Sequence, residues 1–336
     1  MKFLKFIILV VISMTFFSAC KNETTPTPVT NTNNQTGNPS IDNITQKLRN
    51  NPNDVSLYVS RAQAYRRMGA YDEAIMDINR AIKMDSTHHE YYLFLGDVLL
   101  DYNRSKDAIR VINSAVHRFP DNIKCLLKQA EIYHILKQYH QSTSALNAVL
   151  LRDPENARAY FLFGRNFSEL LDTTRAIQSF QKAVDKNPDI LDGWISLGNL
   201  WSEKGPVLAE KYYQTAVNID SSNVYALNSY ALFLGNQDRF QESIDIYKKI
   251  ALLDPQFSDA FFNSGIIHLT IDSIKQANQQ FNLAIKTNPT FAKAYYYRGL
   301  TFAKLGNLGA AKNDYEQSLI FDPNYTKAAD ALNLLK

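Results

Sequence analysis

The chain has 336 residues, 45% of them hydrophobic, with 36 Lys and Arg against 33 Asp and Glu and a formal net charge of +3. Length alone would suggest about two domains of ordinary size, and the near-balance of charge, spread without a basic stripe, argues against a nucleic-acid partner. Two cysteines exclude a disulfide scaffold.

The chain opens with Lys2 and Lys5, an apolar run from Phe6 to Phe17, and then Ser18-Ala19-Cys20. A basic start, a short apolar stretch and small residues at a cleavage point predict a secretory signal over residues 1–19. The run is short for a bilayer span; the plainer alternative is an uncleaved membrane anchor. Small residues directly before a lone Cys resemble the bacterial lipoprotein box. That resemblance implies cleavage before Cys20, lipid (palmitate among its acyl chains) on its sulfur, and an outer-membrane lipoprotein. Lys21-Asn22-Glu23 is similar in part to the surface-export signal of some Gram-negative lipoproteins, so the periplasmic face and the cell surface both remain open. Residues 20–39 are Thr, Pro and Asn with little that is apolar, which predicts a lipidated Cys followed by a disordered tether. Its root-mean-square reach is roughly 25 Å.

Residues 40–54 restore helical spacing with Ile41, Ile44 and Leu48 before Asn51-Pro52, and predict an N-terminal capping helix. From Val55 to Tyr325 a 34-residue unit then recurs, with starts at Val55, His89, Ile123, Ala157, Leu191, Val224, Ser258 and Ala292. The eighth position is always small: Ala62, Gly96, Ala130, Gly164, Gly198, Ala231, Gly265 and Gly299. The twentieth is small too: Ala74, Ala108, Ser142, Ala176, Ala209, Ser243, Ala277 and Ala311. The fourth is bulky, from Tyr58 and Tyr92 through Trp194 to Tyr295, and Ser or Pro follows each second half, from Ser86 to Pro323. Large side chains opposite small ones at helical spacing are what two closely crossing helices need. These columns resemble the tetratricopeptide repeat. The resemblance implies an all-α, right-handed superhelical solenoid of eight helix-turn-helix repeats over residues 55–325, with a C-terminal capping helix over 326–336. The fifth unit is one residue short near Gly205-Pro206, and Arg61 and Gln129 stand where the family prefers an apolar side chain.

The chain has no phosphate-cradling Gly-rich loop, no His-Glu-x-x-His and no nucleophile elbow. Nothing calls for a cofactor or a metal, and an enzyme or a small-molecule substrate has no support. His88-His89 reads as a solvated turn, and Cys125 beside Leu126 and Leu127 as an apolar filler. Asp85-Ser86-Thr87, Asp172-Thr173-Thr174 and Asp272-Ser273-Ile274 resemble a bacterial O-glycosylation sequon, with plain turns as the simpler reading.

In this family the first helices line the concave face, and positions 2, 5, 9 and 12 of a unit point into it. In units one to four those positions give mostly charged residues: Arg66, Glu90, Asp97, Lys124, Glu131, Arg158 and Arg165. In units six to eight they give Tyr225, Leu232, Phe262, Ile266, Leu269, Tyr296 and Leu300. An apolar stripe on one surface predicts a partner-binding groove for an extended or helical protein segment, unless superhelical packing buries it. Phe262 and Tyr296 share the fifth position of successive units and are expected side by side along the wall. The family's carboxylate clamp lacks its set of Lys, Asn and Arg in any three consecutive units, which argues against a receptor for chaperone tails. The expected function is a non-enzymatic scaffold or adaptor, with an assembly factor for a secretion, pilus or gliding-motility apparatus as the alternative.

Overall fold

The computed structural model describes residues 37–335, all helix and turn. The expected signal segment, Cys20 and most of the tether lie outside the described residues. Eighteen α-helices follow one another among the described residues. The first, α1 (Pro39–Asn50), is capped by the Asn38 side chain, which accepts from the backbone N–H groups of Ser40 and Ile41. It buries Ile41 and Leu48.

Eight helix pairs follow. They are α2 (Val55–Arg67) with α3 (Tyr71–Met84), α4 (His89–Asp101) with α5 (Ser105–Arg118), α6 (Ile123–Ile135) with α7 (Tyr139–Arg152), and α8 (Ala157–Glu169) with α9 (Thr173–Lys186). The second four are α10 (Leu191–Trp201) with α11 (Pro206–Ile219), α12 (Val224–Asn236) with α13 (Phe240–Leu253), α14 (Ser258–Thr270) with α15 (Ile274–Thr287), and α16 (Ala292–Lys304) with α17 (Leu308–Phe321). A short α18 (Thr326–Asn333) buries Ala328 against the last pair. Each helix packs on its neighbours in the chain, and successive first helices also touch (α4 on α6, α10 on α12, α12 on α14, α14 on α16). The solenoid therefore carries its first helices as an inner layer and its second helices outside.

Three columns of the repeat explain why the sequence folds this way. Inside each unit, the small eighth residue receives the side chain at position 24. A Cβ added at Gly164 would meet the Phe180 ring at 2.6 Å, one at Gly265 the Phe281 ring at 2.6 Å, and one at Gly299 the Tyr315 ring at 2.7 Å. Only a residue without a side chain lets those helices approach so closely.

The turn within a unit needs a residue at positive φ. That residue is Gly69 or Gly306 in the end units, but Asn103, Lys137, Leu171, Asp238 or Asp272 elsewhere, all with φ between 57° and 59°. The fifth unit has lost this position. Its α10 stops at Trp201, and Pro206 begins α11 after an extended Gly205 at φ −157°.

Between units, an Asp or Asn after the second helix accepts from the backbone N–H two residues on, as Asp85 does from Thr87, Asn187 from Asp189 and Asp322 from Asn324. The bulky fourth position then seals the turn. Tyr58, Tyr160 and Tyr295 donate their hydroxyls to the carbonyls of Pro52, Pro154 and Pro289, and Trp194 donates its Nε1–H to that of Pro188 at 2.7 Å.

The two departures from the repeat pattern have partners. Arg61 makes a bidentate pair with the buried Asp77 at 2.7 and 2.8 Å, and Arg298 does the same with Asp314 in the last unit. Both units at the ends of the repeat thus use a charge pair at the seventh position, where units two, four and five carry Leu95, Phe163 and Leu197. Gln129 donates to Asn113 at 2.8 Å. Cys125 is fully buried among Tyr92 and Ala115, and burial pushes its thiol up to about 11.

Candidate partner-binding groove

The inner faces of the first helices differ between the two halves of the solenoid. In units one to four the charges meet one another. Arg66 on α2 bonds Asp101 on α4 at 2.6 Å and faces Asp97 at 4.0 Å. Lys128 on α6 bridges Asp97 at 2.9 Å and Glu131 at 3.1 Å, and Arg158 on α8 closes on Glu131 at 3.0 Å. Burial alone would raise the Glu131 carboxyl, but Lys128 and Arg158 together outweigh it and hold the group below its usual range. The result is a ladder of alternating sign across four units, largely neutralised from within. Arg165 stays exposed and borders a cleft with Asp192 of the next unit.

A buried polar chain lies beneath this ladder. Ser142 Oγ donates to the Ala130 carbonyl and accepts from Asn166 Nδ2, each at 2.8 Å. The Asn166 Oδ1 therefore faces His134 Nδ1 at 2.8 Å, and this order makes Nδ1 the protonated ring nitrogen.

From unit six onward the inner surface carries an apolar stripe, with the exposed charges Asp259 and Lys293 at the second positions of units seven and eight. Tyr225 and Leu232, seven residues apart on one face of α12, are 72% and 41% exposed. Ile266 on α14 and Leu300 on α16 hold the same ninth position as Leu232 and are half-buried, as is Leu269 at the twelfth. These side chains form a stripe across three successive first helices.

The aromatic pair expected beside them is arranged differently. Phe262 turns into the junction between units seven and eight, with ring centroids 4.9 Å from Phe291 and 5.6 Å from Tyr297. Tyr296 packs on Tyr297 at 5.0 Å, Tyr325 at 5.3 Å and Tyr315 at 5.9 Å. Tyr297 sits between the two rings, so Phe262 and Tyr296 do not stack along the wall. Both are half-buried packing residues as much as groove residues, because large rings at the fifth position fill the step to the next unit.

The sequence reading missed the ion-pair ladder. Its signal was present as opposite signs at neighbouring groove positions in successive units, such as Asp97, Lys128 and Glu131. The glycosylation-like stretches all fall at helix turns: Asp85 bonds Thr87, Asp172 caps α9 through the Arg175 N–H, and Asp272 holds a positive φ. Among the described residues no group of three or more His, Cys, Asp and Glu is placed to hold a metal ion. None of their helices is long and apolar enough to cross a membrane.

Family models agree with this geometry. The tetratricopeptide repeat model matches residues 158–189 and 292–325, and a model of subunit 3 of the anaphase-promoting complex, cyclosome, matches 41–115. The chain is built of tetratricopeptide repeats. Its fold is similar to the crystallised Cut9-Hcn1 hetero-tetramer of the anaphase-promoting complex, at a TM-score of 0.58 and 16% identity, covering 88% of this chain and 58% of that one. A DnaJ homolog subfamily C member 7 homolog from Dictyostelium discoideum is 22% identical over 79% of this chain and 48% of its own length. The type IV pilus assembly protein PilF of Pseudomonas aeruginosa is 29% identical over 39% of this chain and 53% of its own. The tetratricopeptide solenoid thus spans about half the length of these two relatives. Repeats of this kind serve as protein-interaction scaffolds, and the inner stripe offers apolar surface in register across three units, while Leu151 and Leu252 expose single apolar side chains on outer helices.

Proposed function

We propose that the protein is a non-enzymatic scaffold that holds a segment of a partner protein against the inner face of units six to eight. One observation carries the reading: the ninth-position side chains Leu232, Ile266 and Leu300, with Tyr225 beside them, present apolar surface in register across three units. Exposed apolar surface gathered in one place is a contact signal. In the N-terminal half the Arg66–Asp101, Lys128–Asp97 and Arg158–Glu131 pairs neutralise most of the inner-face charge, leaving Lys124 and Arg165 exposed. The scaffold is held at a bacterial outer membrane by lipid on Cys20, a reading supported by the signal-like residues 1–19 and the small residues before that cysteine.

The test is co-purification from membranes followed by titration of the recovered partner. Leu232→Glu places a charge on an exposed wall position without disturbing the core, and is expected to weaken binding at least tenfold while leaving the fold intact. Unchanged affinity would refute the groove. Cys20→Ala is expected to release the protein from the membrane fraction or leave it uncleaved, and palmitate labelling that survives the substitution would refute the anchor.

A second reading, an assembly lipoprotein of an envelope secretion, pilus or gliding-motility apparatus, is favoured by the similarity to PilF. A multi-protein envelope complex in the same purification would support it, and a single client would support the adaptor.

A further inference from the structure

Between α12 and α14 the inner wall opens into a cleft of about 300 Å³. Leu232, Phe240 and Ile266 form its apolar sides. Gly235, which lines the opening, stands at the twelfth position, where units one, two, three and seven carry Arg66, Leu100, His134 and Leu269 and units four, five and eight the small Ser168, Ser202 and Ala303. A Cβ built on Gly235 would meet nothing closer than 3.5 Å, so no neighbour requires a glycine there for close packing.

Tyr247 also lines the cleft. It is 2% exposed, and its hydroxyl has no hydrogen-bond partner. Ser243 and Asn263 are polar neighbours of that hydroxyl, but neither offers it an acceptor oxygen in hydrogen-bonding geometry; Ser243 donates to the Ala231 carbonyl and the Asn263 Nδ2 points toward Asn228 at 3.5 Å. The equivalent hydroxyl in unit five is satisfied, since Tyr213 donates to Asn199 at 2.7 Å from the ninth position of its own first helix. In unit six that ninth position is Leu232, which accepts nothing. A buried hydroxyl left unmatched costs about 1–3 kcal/mol, so an incoming acceptor has something to gain here.

The chemistry of the acceptor is restricted. Burial keeps the Tyr247 hydroxyl protonated far above neutral pH, so it enters as a donor. The one charged residue lining the cleft is Asp238, which repels a carboxylate or a phosphate. The volume sits at the bottom of the range for small-molecule pockets, about 300–1,000 Å³, and suits one or two inserted side chains.

We infer that this cleft is a specificity pocket of the groove that accepts a carboxamide side chain, Gln or Asn, from an extended partner segment with apolar residues on either side. The amide oxygen accepts from Tyr247, the amide N–H₂ faces Asp238 and Asn263, and the flanking residues lie on Leu232 and Ile266. The inference rests on the groove reading above and names the partner's chemistry at one point of it.

The test uses three defined peptides, acetyl-Leu-Gln-Leu-N-methylamide and its Glu and Met counterparts, titrated into the protein with labelled Ile and Leu methyl groups. The Gln peptide is expected to move the methyl signals of Leu232, Ile266 and Ile267 and to bind about five- to tenfold more tightly than the Met peptide, as one neutral hydrogen bond allows. The Glu peptide is expected to bind most weakly. Tyr247→Phe should lower the Gln peptide to the level of the Met peptide and leave the Met peptide unchanged, and Gly235→Leu should block all three.

Equal binding of the Gln and Met peptides would mean an apolar pocket only, and tightest binding of the Glu peptide would mean an anion site. No response to any peptide would mean a cleft that holds only solvent. Each result overturns the inference. A recovered partner lost on Leu232→Glu but indifferent to Tyr247→Phe would retain the groove and reject the pocket. Gln-selective binding in a protein with no groove partner would retain the pocket and reject the groove.

Discussion

Gly164 is the place where a single methyl group tests how the helices of a unit interdigitate. In Gly164→Ala the new Cβ would lie 2.6 Å from both Cδ1 and Cε1 of Phe180 and 2.8 Å from its Cγ. Carbon atoms pack best at about 3.5–4.0 Å, so the ring or the helix must give way by about 1 Å. Phe180 has no room to do so. It is 2% exposed, it lies 5.6 Å from the Phe161 ring, and it belongs to the largest core cluster of the chain. Overpacking of this kind costs about 1–3 kcal/mol, while alanine returns at most about 1 kcal/mol through its better helix propensity. Gly309→Ala is the control, because a Cβ there meets nothing within 4 Å and only the favourable propensity effect remains. The two variants should therefore differ by about 1–3 kcal/mol, with Gly164→Ala the less stable. Phe180→Leu in the Gly164→Ala background should recover part of the loss, since residues in contact are not additive. Urea unfolding gives the magnitudes, and hydrogen exchange gives the location. Each unit touches only its neighbours, so lost protection should centre on units three to five. Equal stability of the two alanine variants, or uniform loss of protection along the chain, would refute the packing account.

Leu171→Gly should stabilise the protein by about 1 kcal/mol, because Leu171 is 88% exposed and held at φ 59°, a conformation that costs a side chain about that much; chemical denaturation measures it. Arg298→Met should cost about 2 kcal/mol, since it leaves the buried Asp314 without its bidentate donor. Restoration by the double variant Arg298→Met with Asp314→Leu would identify the orphaned charge as the cause. Lys128→Met opens the ladder between Asp97 and Glu131; as these groups are partly exposed, the loss should be about 1 kcal/mol or less and should shrink as salt is raised. His268 has a buried Nδ1 without a partner, and burial together with nearby Lys248 holds its pKa below the ordinary value. The unfolded chain therefore takes up the proton first as pH falls below about 6.5, so stability contributed by neutral His268 is full above that pH and declines below it. His268→Gln should flatten that part of the stability profile, and an unchanged profile would refute the assignment.

Much of the fold was legible because the repeat samples each structural position several times. A small residue at the eighth position means little in one unit but identifies a helix crossing when it recurs from Ala62 to Gly299. The helix starts in the structure coincide with the unit starts read from those columns, from Val55 to Ala292. The turns were less legible. Positive φ at Lys137 and Leu171 is imposed by the geometry of the connection, and neither residue type advertises it. Arg61 looked out of place because its partner Asp77 lies sixteen residues on, across the unit, and Arg298 repeats the arrangement with Asp314. For the groove, the sequence located the inner-face positions but could not say which side chains turn into the next unit. Tyr225 and Leu232 stay on the surface, whereas Phe262 and Tyr296 are drawn into ring contacts by Tyr297 between them. The Tyr247 hydroxyl was illegible for a similar reason, since its isolation depends on a leucine at the ninth position where unit five has an asparagine.

If a partner lies along the inner face of units six to eight, site-specific photo-crosslinking in cells should capture it from that face. A benzophenone side chain would be placed at Tyr225 or Leu232 on the inner wall, and in separate variants at Leu252 or Leu151 on the outer helices, which are 85% and 82% exposed. All four sites are open to solvent, so exposure alone cannot distinguish them. The scaffold reading predicts one partner captured in common from Tyr225 and Leu232 and not from the outer pair. Capture of that partner from Leu252 or Leu151, with the inner positions silent, would contradict it.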